Sequence, residues 1–406
     1  MTTEQVTGAA EKTQAKSATI KVEPDLDFIR QVKAAGGDTL KKCFQCATCS
    51  VVCSITPENR PFPRKEMIWA SWGLKDKLIS DGDVWLCHQC NDCSVDCPRG
   101  AKPGDVLAAV RNYLFKTLTF PKFLGTWLGE PKYLPLVFAI PIVWIFLTVL
   151  AAGTLGEVHM GRMSPAEIKF EEFLPHPYLY SIFITATHLA GLFLIIGLVK
   201  YWKMLGTSVV SAAGSNPGGP TEGNVVASAI ATVKEILTHT KFKKCEENSH
   251  RYLGHLGIMY GFLLLAVGTA IEIFMLYALG AELPLSQLSV PKILGHLGFI
   301  ALTVGLILVI RRRLSGDESV SRTTYQDWYL LIVLLAVALS GQLLEIIRYT
   351  GIAWLAYVTY FVHLVLVFAL IGYFPYSKFA HMFYRFVAIL HSKYTGRDVL
   401  AEEAAA

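Results

Sequence analysis

Cysteine carries the most specific chemistry this sequence could do, and it does so in two short runs. The first reads Cys43-Phe-Gln-Cys46-Ala-Thr-Cys49-Ser-Val-Val-Cys53, and the second Cys87-His-Gln-Cys90-Asn-Asp-Cys93-Ser-Val-Asp-Cys97-Pro98. Each follows C-x2-C-x2-C-x3-C, the spacing with which bacterial ferredoxins hold [4Fe–4S] cubes on thiolates. In two-cluster ferredoxins the fourth cysteine of a run ligates the other cube. That rule assigns Cys43, Cys46, Cys49 and Cys97 to one [4Fe-4S] cluster, and Cys87, Cys90, Cys93 and Cys53 to a second. Structural zinc favours separated C-x2-C pairs. A disulfide framework belongs to small secreted domains, whereas the N-terminal stretch here has no apolar signal core. Eight of the nine cysteines lie in the two runs, leaving Cys245 as a free thiol beside Lys243 and Lys244.

Histidine is the second chemical signal. His188, His255, His296 and His363 fall inside long apolar segments, and His381 lies just beyond the last one. Ionisable residues at membrane depth are costly and default to functional hypotheses. A haem b needs two imidazoles facing each other across the porphyrin, usually from different helices of a bundle. His363 and His381 are five helical turns apart on one face, about 27 Å of rise, unless Pro375 kinks the helix. That spacing suits two haem b groups near opposite sides of one bilayer. His255 matches His381 in depth, and His363 is left needing a partner, for which His296 is the first choice and His188 the rival. Gly254, Gly257, Gly261 and Gly268 form a stripe along the His255 helix that suits a ring edge and close helix packing, and the two can hold together.

The elements that must position these residues follow from composition. The 406 residues are 53% hydrophobic and 17% charged, which points to the membrane class. The net charge of +5 carries no basic footprint for nucleic acid. Six apolar segments are long enough, with their flanks, to span a bilayer: 133–156, 173–199, 252–271, 293–310, 328–344 and 350–377. Lys200, Lys203, Lys234, Lys241, Lys243, Lys244, Arg251, Arg311, Arg312, Arg313, Lys378 and Arg385 crowd one set of connections. The opposite loops carry Glu157, Glu171, Glu172 and Glu282. The positive-inside rule then places both termini and both clusters on the cytoplasmic side of the inner membrane.

The expected fold is all-α. A disordered tail (1–27) leads into an α-helical two-cluster ferredoxin domain (28–115). A linker (116–132), a six-helix transmembrane haem b bundle (133–377) and a cytoplasmic tail (378–406) complete it. Within the ferredoxin domain, 64–73 and 105–115 read as helices, with Gly73 suited to a C-cap. Residues 203–248, with Gly214, Gly218 and Gly219, read as a mobile loop. The surface around Arg60, Arg64 and Lys65 is the expected docking region.

The segment Phe361-Val-His-Leu-Val-Leu-Val-Phe-Ala-Leu-Ile-Gly-Tyr-Phe-Pro-Tyr-Ser-Lys-Phe-Ala-His381 resembles the last helix of the nitrate reductase gamma-type cytochrome b family. His255-Leu-Gly-Ile resembles that family's first ligand helix, although the family's second histidine ten residues on falls at Leu265. The N-terminal part resembles the iron–sulfur C subunit of heterodisulfide reductase. A fusion of the two is similar to the C subunits of quinone-interacting membrane-bound oxidoreductase complexes of sulfate reducers. The resemblance implies electron exchange between menaquinone and cytoplasmic flavin and iron–sulfur partners of the heterodisulfide reductase A kind, with adenylylsulfate reductase downstream. Quinone-site candidates are Glu272, Glu345 and Lys292. The alternatives are a heterodisulfide reductase-type membrane module and, ranked low, a transporter with a regulatory iron–sulfur domain. No flavin fingerprint or P-loop is present, so two-electron substrate chemistry falls to partners.

Overall fold

The computed structural model describes residues 23–57, 61–156, 160–213, 223–244, 249–317 and 320–397. Residues 1–22, Arg60, Glu157, Gly214, Gly218, Gly219, Cys245 and 398–406 lie outside them. The described residues form helices and no strand; an isolated antiparallel bridge joins Arg162 to Ile352.

The N-terminal unit is built from short helices: α1 (Leu26–Val32), α2 (Thr48–Val51), α3 (Arg64–Ser71), α4 (Lys75–Ile79), α5 (Asp83–Leu86) and α6 (Asp92–Val95), all set around α7 (Pro103–Leu118). Asp25 caps α1 by accepting from the Phe28 amide, and Pro103 starts α7 at a position where its missing N–H costs nothing. Gly73 follows α3 at φ +69, where a Cβ would meet the Asp25 backbone at 2.8 Å. The unit therefore turns at the residue whose lack of a side chain permits it.

The membrane half begins with α8 (Lys122–Gly129) and α9 (Leu134–Ala152). It continues through α10 (Phe170–Phe173), α11 (His176–Ala213), α12 (Val225–Thr238), α13 (Thr240–Lys243), α14 (Ser249–Ala278), α15 (Val290–Leu314), α16 (Tyr325–Thr350), α17 (Ala353–Ile371) and α18 (His381–Tyr394). Six stretches are long and apolar enough to cross a membrane: Pro131–Ala152, His176–Gly206, Arg251–Ala278, Val290–Leu314, Tyr325–Thr350 and Ala353–Ile371. Their outward faces carry Ile184, Ile195, Leu263, Leu297, Val304, Ile332, Leu343 and Val358, all exposed. Side chains of this kind facing out need an apolar surrounding, which a bilayer supplies.

Four expectations are corrected. The last span ends at Ile371, not Ser377, because Phe374–Tyr376 and Lys378–Ala380 form two short turns at Pro375, whose ring cannot continue an α-helix. His363 and His381 therefore sit on different helices rather than five turns apart on one. The stretch taken as a linker is mostly helical, with α7 running to Leu118 and α8 following. The 203–248 stretch contains α12 and α13, and Asn224 caps α12 by accepting from Val226 and Ala227. The tail from 378 begins with α18, which packs on α5, α11 and α12.

The iron–sulfur unit is docked through a shared core. Phe28, Val32, Leu40, Trp85 and Leu114 join Leu194, Tyr201 and Leu205 of α11 and Tyr384, Val387 and Ala388 of α18 in one buried cluster. Trp85 stacks on Tyr384 with ring centroids 5.2 Å apart. Aromatic burial of this size dominates local energetics. The cluster puts the ferredoxin unit and α18 at one end of the bundle, and α12 packs on α18 there.

Candidate functional site

Two left-handed residues shape each cysteine loop. Gln45 and Ala47 in the first run have φ of 60 and 72, and Gln89 and Asn91 in the second have 55 and 82. These turns wrap each backbone around a central space, with α2 and α6 starting one residue before the third cysteine. All eight described cysteines are free. Cys49 feels the charge of Cys43, Cys46 and Cys97, and burial pushes its thiol up to about 11. Cys53 is pushed up to about 12, by burial first and then by Cys87 and Cys90. Cys93 is raised by burial and by Cys87, Cys90 and Cys53. The fourth cysteine of each run thus lies with the first three of the other.

The donor set suits [4Fe–4S] clusters. Backbone amides of Gln89 and Ala101 donate to the Cys87 and Cys97 sulfurs at 3.3 Å, and Gln45 Nε2 donates to Cys43 at 3.2 Å. Such hydrogen bonds tune cluster potential. A cavity lined by Cys53, Cys87, Cys90, Cys93, Phe62 and Leu107 lies inside the second set.

The histidines fall into two places. At the ferredoxin end, His255 on α14 lies within electrostatic reach of His381 at the start of α18. The His381 Nδ1–H donates to the Lys378 carbonyl at 2.5 Å, which leaves Nε2 as a bare lone pair. Burial holds this imidazole to about 4, so it is neutral, the form that ligates a metal. His255 Nδ1 lies 2.8 Å from His239 Nε2. His239 was not anticipated; it sits in the stretch read as a loop, at φ 53 between α12 and α13.

At the other end, a wide cavity of about 2590 Å3, part of it open to the surroundings, runs between α14, α15, α16 and α17. His296 and His363 both line it, as do Glu272, Lys292 and Glu345. Ser340 Oγ holds His363 Nδ1 at 2.8 Å, and a Cβ on Gly341 would meet the His363 ring at 3.1 Å. His296 Nε2 lies 3.0 Å from Gln287 Oε1, so ligation through that nitrogen requires Gln287 to turn away. Lys292 pairs with Glu345 at 2.9 Å. His188 is exposed on the outer face of α11, where its Nδ1–H donates to the Ile184 carbonyl at 2.8 Å. The cavity therefore brings His296 and His363 together and leaves His188 outside.

The glycine stripe serves helix packing. A Cβ on Gly257 would meet the Ala301 carbonyl at 2.8 Å, and one on Gly261 the Leu302 amide at 2.4 Å. Gly298 and Gly305 complete the close approach of α15 to α14.

Between the cysteine sets and the His255–His381 pair stands His88, buried beside Cys87. Arg385 Nη2 contacts its Nε2, and Arg251 donates to its carbonyl. The Phe242 ring packs 5.2 Å from His88 and 5.4 Å from His255. Burial, then Arg385 and Arg251, hold the His88 imidazole far below its ordinary value.

A buried charge cluster ties this loop down. Lys65 Nζ reaches Glu66, Asp81 and Asp83 at 3.0, 2.7 and 2.5 Å, and Arg397 pairs with Asp81 and Asp83. The three carboxylates are close enough to hold a metal, but the Lys65 ammonium already stands among them. Burial raises Glu66 well above the usual carboxylate range, making it the neutral member. Lys65 is thus an internal anchor rather than part of the expected docking surface, while Arg64 remains exposed.

The fold and site define a multi-pass membrane iron–sulfur protein with a ferredoxin-like unit at its N-terminal end. Over residues 131–402 the chain matches the Citrate utilization protein B family, and it belongs to that family. Residues 39–101 match the 4Fe-4S dicluster domain. The Escherichia coli Citrate utilization protein B is 26% identical over 397 residues, covering 92% of this chain and 93% of the relative. The C subunit of the H(2):CoB-CoM heterodisulfide,ferredoxin reductase of Methanothermobacter marburgensis is 44% identical over 91 residues, 22% of this chain and 48% of the relative. A protein of Archaeoglobus profundus, itself described as like the heterodisulfide reductase C subunit, is 33% identical over 84 residues, 20% of this chain and 45% of the relative. The chain thus spans about half the length of the heterodisulfide reductase relatives it matches. No solved structure matches it. These matches support an iron–sulfur electron-transfer role.

Proposed function

We propose that the chain is the membrane subunit of a quinone-linked oxidoreductase, exchanging electrons between menaquinone and soluble flavin and iron–sulfur subunits on the cytoplasmic side. The observation that carries this reading is the series of sites along the bundle: the cysteine sets, then His88, then His255 with His381, then the cavity of His296 and His363 at the far end. When bound, clusters and haem b supply one-electron carriers, and the quinone supplies a two-electron couple. The protein's own residues do the positioning. His239 and the Lys378 carbonyl hold Nδ1 of His255 and His381, so that each Nε2 is available to a haem iron. Ser340 orients His363 in the same way. Glu272 and Glu345 line the far cavity and are the candidates to take a proton from a quinol there. The Lys292–Glu345 pair keeps a cation and a carboxylate poised at the same wall.

The sequence resemblance points to sulfate respiration, with adenylylsulfate reductase downstream. The full-length likeness to the Escherichia coli protein, whose name refers to citrate utilization, favours a second setting in which the soluble partner serves the use of a carboxylic acid. Subunits that co-purify with the chain decide between the two.

The test is an anaerobic titration of the purified protein with a menaquinol analogue, following haem absorbance and then cluster EPR. Haem reduction followed by cluster reduction supports the reading. Absence of haem absorbance overturns the assignment of the histidines.

A further inference from the structure

The two cysteine loops share a backbone shape but face different surroundings. In the second, the carbonyl of Leu86 accepts from Arg385 at 3.3 Å, and both Arg251 and Arg385 grip His88. The Arg312 guanidinium at the end of α15 feels the charge of Cys90 and Asp92. Two helices of the membrane half, α14 and α18, thus close over this loop, with the α15 cation within electrostatic reach. Among the described residues, the first loop is covered only at its Cys53 end, where Ile389 of α18 and Ile236 of α12 pack, and its Phe44–Val51 part is open. Phe44 is 67% exposed and Val51 83% exposed, and Cys46 is itself exposed.

The exposed face is cationic as well as apolar. The Arg99 guanidinium lies over the Phe44 ring at 4.0 Å, and Arg64 is exposed beside the same loop, its backbone amide donating to Ser50 Oγ at 3.1 Å. Lys41, Lys42 and Lys102, flanking the same cysteine set, are exposed too, against two exposed acids, Asp96 and Asp38, of which Asp38 pairs with Arg322. An exposed aromatic with an arginine on it, ringed by cations, is the composition of a protein–protein hot spot steered by charge.

We propose that the face around Cys43, Cys46 and Cys49 is the docking port for a soluble flavoprotein with an acidic surface, and that the Cys87–Cys97 loop is the membrane-side member of the pair. This rests on the electron-transfer reading above. One electron passes per encounter: this chain, reduced from the quinol side, is oxidised by one electron and the flavin partner reduced by one, with no bond made or broken. The shorter route lies through the exposed loop, because the other is covered.

The experiment uses the full-length chain, with its iron content verified, held in lipid nanodiscs, and an acidic flavodoxin as the probe, with binding read by interferometry. The expected result is binding that weakens as salt is added. Phe44→Glu and Arg99→Glu each weaken it about tenfold or more, while Lys234→Glu, an exposed cation on α12, leaves it unchanged. If Phe44→Glu costs iron, Arg99→Glu and Lys102→Glu carry the test. No binding by the unaltered chain, wild-type binding by the port variants, or an equal loss in Lys234→Glu overturns the proposal. Haem absorbance of the same preparation is scored separately, so a chain that binds flavodoxin yet holds no haem sinks the function proposed above and leaves the port standing.

Discussion

The loops at Cys43–Cys53 and Cys87–Cys97 have identical spacing and matching left-handed turns, yet one faces outward and the other into the protein. The second residue of each run shows why. Phe44 is 67% exposed, whereas His88, at the same place in the repeat, is 9% exposed and contacts two arginines. Spacing decides which thiols can share a cluster; the residues between the thiols decide what the cluster meets. A metal site is therefore specified twice over, and the two specifications vary independently.

The largest way to break the comparison is to remove a crossing ligand. Cys97→Ser is expected to cost the cluster of the first run and Cys53→Ser that of the second, each halving the iron content. Adding Cys43→Ser to Cys97→Ser costs no further cluster, while adding it to Cys53→Ser costs both. Iron analysis with EPR checks this, and additivity in the first pair contradicts the crossing.

Next comes the anchor of the second loop. Arg397→Ala leaves Asp81 and Asp83 buried with half of their cationic partners, which costs about 3 kcal/mol or more. Thermal unfolding and limited proteolysis between α5 and α18 read the loss. The same anchor is sensitive to acid. Burial alone would raise Asp81, but Lys65 and Arg397 bring it down to about 2. A carboxylate held below its usual value near 3.8 stabilises the fold above that value, and the contribution is lost as pH falls through about 2. Asp83 and Glu66, raised by burial, contribute with the opposite sign, so the Asp81 share is read as the loss of hydrogen-exchange protection at the α5–α18 junction between about pH 5 and pH 3 that Asp81→Asn abolishes.

Smaller effects separate the two loops themselves. Arg385→Ala removes charged hydrogen bonds to Leu86 and His88 and is expected to cost about 2 kcal/mol. Phe44→Ala, on the exposed loop, is expected to change stability by under about 1 kcal/mol, the scale of an exposed cation–π contact. Equal costs at the two positions would erase the difference.

Legibility in the sequence followed how local each signal is. The cysteine runs and the apolar lengths are contiguous, so the ferredoxin unit and the six membrane-crossing helices could be read directly. Pro375 marked the break between His363 and His381 as a possibility, and the structure makes it two turns and a new helix. His239 could not be found by the same means. It acquires its place only when the α12–α13 corner folds back onto α14, 16 residues away in the chain. The buried set of Lys65, Glu66, Asp81, Asp83 and Arg397 is assembled across 314 residues between Asp83 and Arg397, beyond any periodic pattern. The glycine stripe was ambiguous for a different reason, since small residues serve a ring edge and a neighbouring helix equally, and only the facing Gly298 and Gly305 decide for the helix. His296 and His188 lie at similar depth, and rotation about their helices, which depth does not encode, puts one in the cavity and the other outside.

The most direct measurement of the asymmetry uses a soluble dysprosium chelate and the two single-cluster variants, reduced and frozen for EPR. The chelate is expected to speed spin relaxation of the cluster remaining in Cys53→Ser, which lies behind exposed Phe44 and Cys46. It is expected to leave nearly unchanged the cluster remaining in Cys97→Ser, which lies behind His88, Arg251 and Arg385. Equal acceleration in both variants, or acceleration of the second alone, would contradict the outward-facing and membrane-facing assignment.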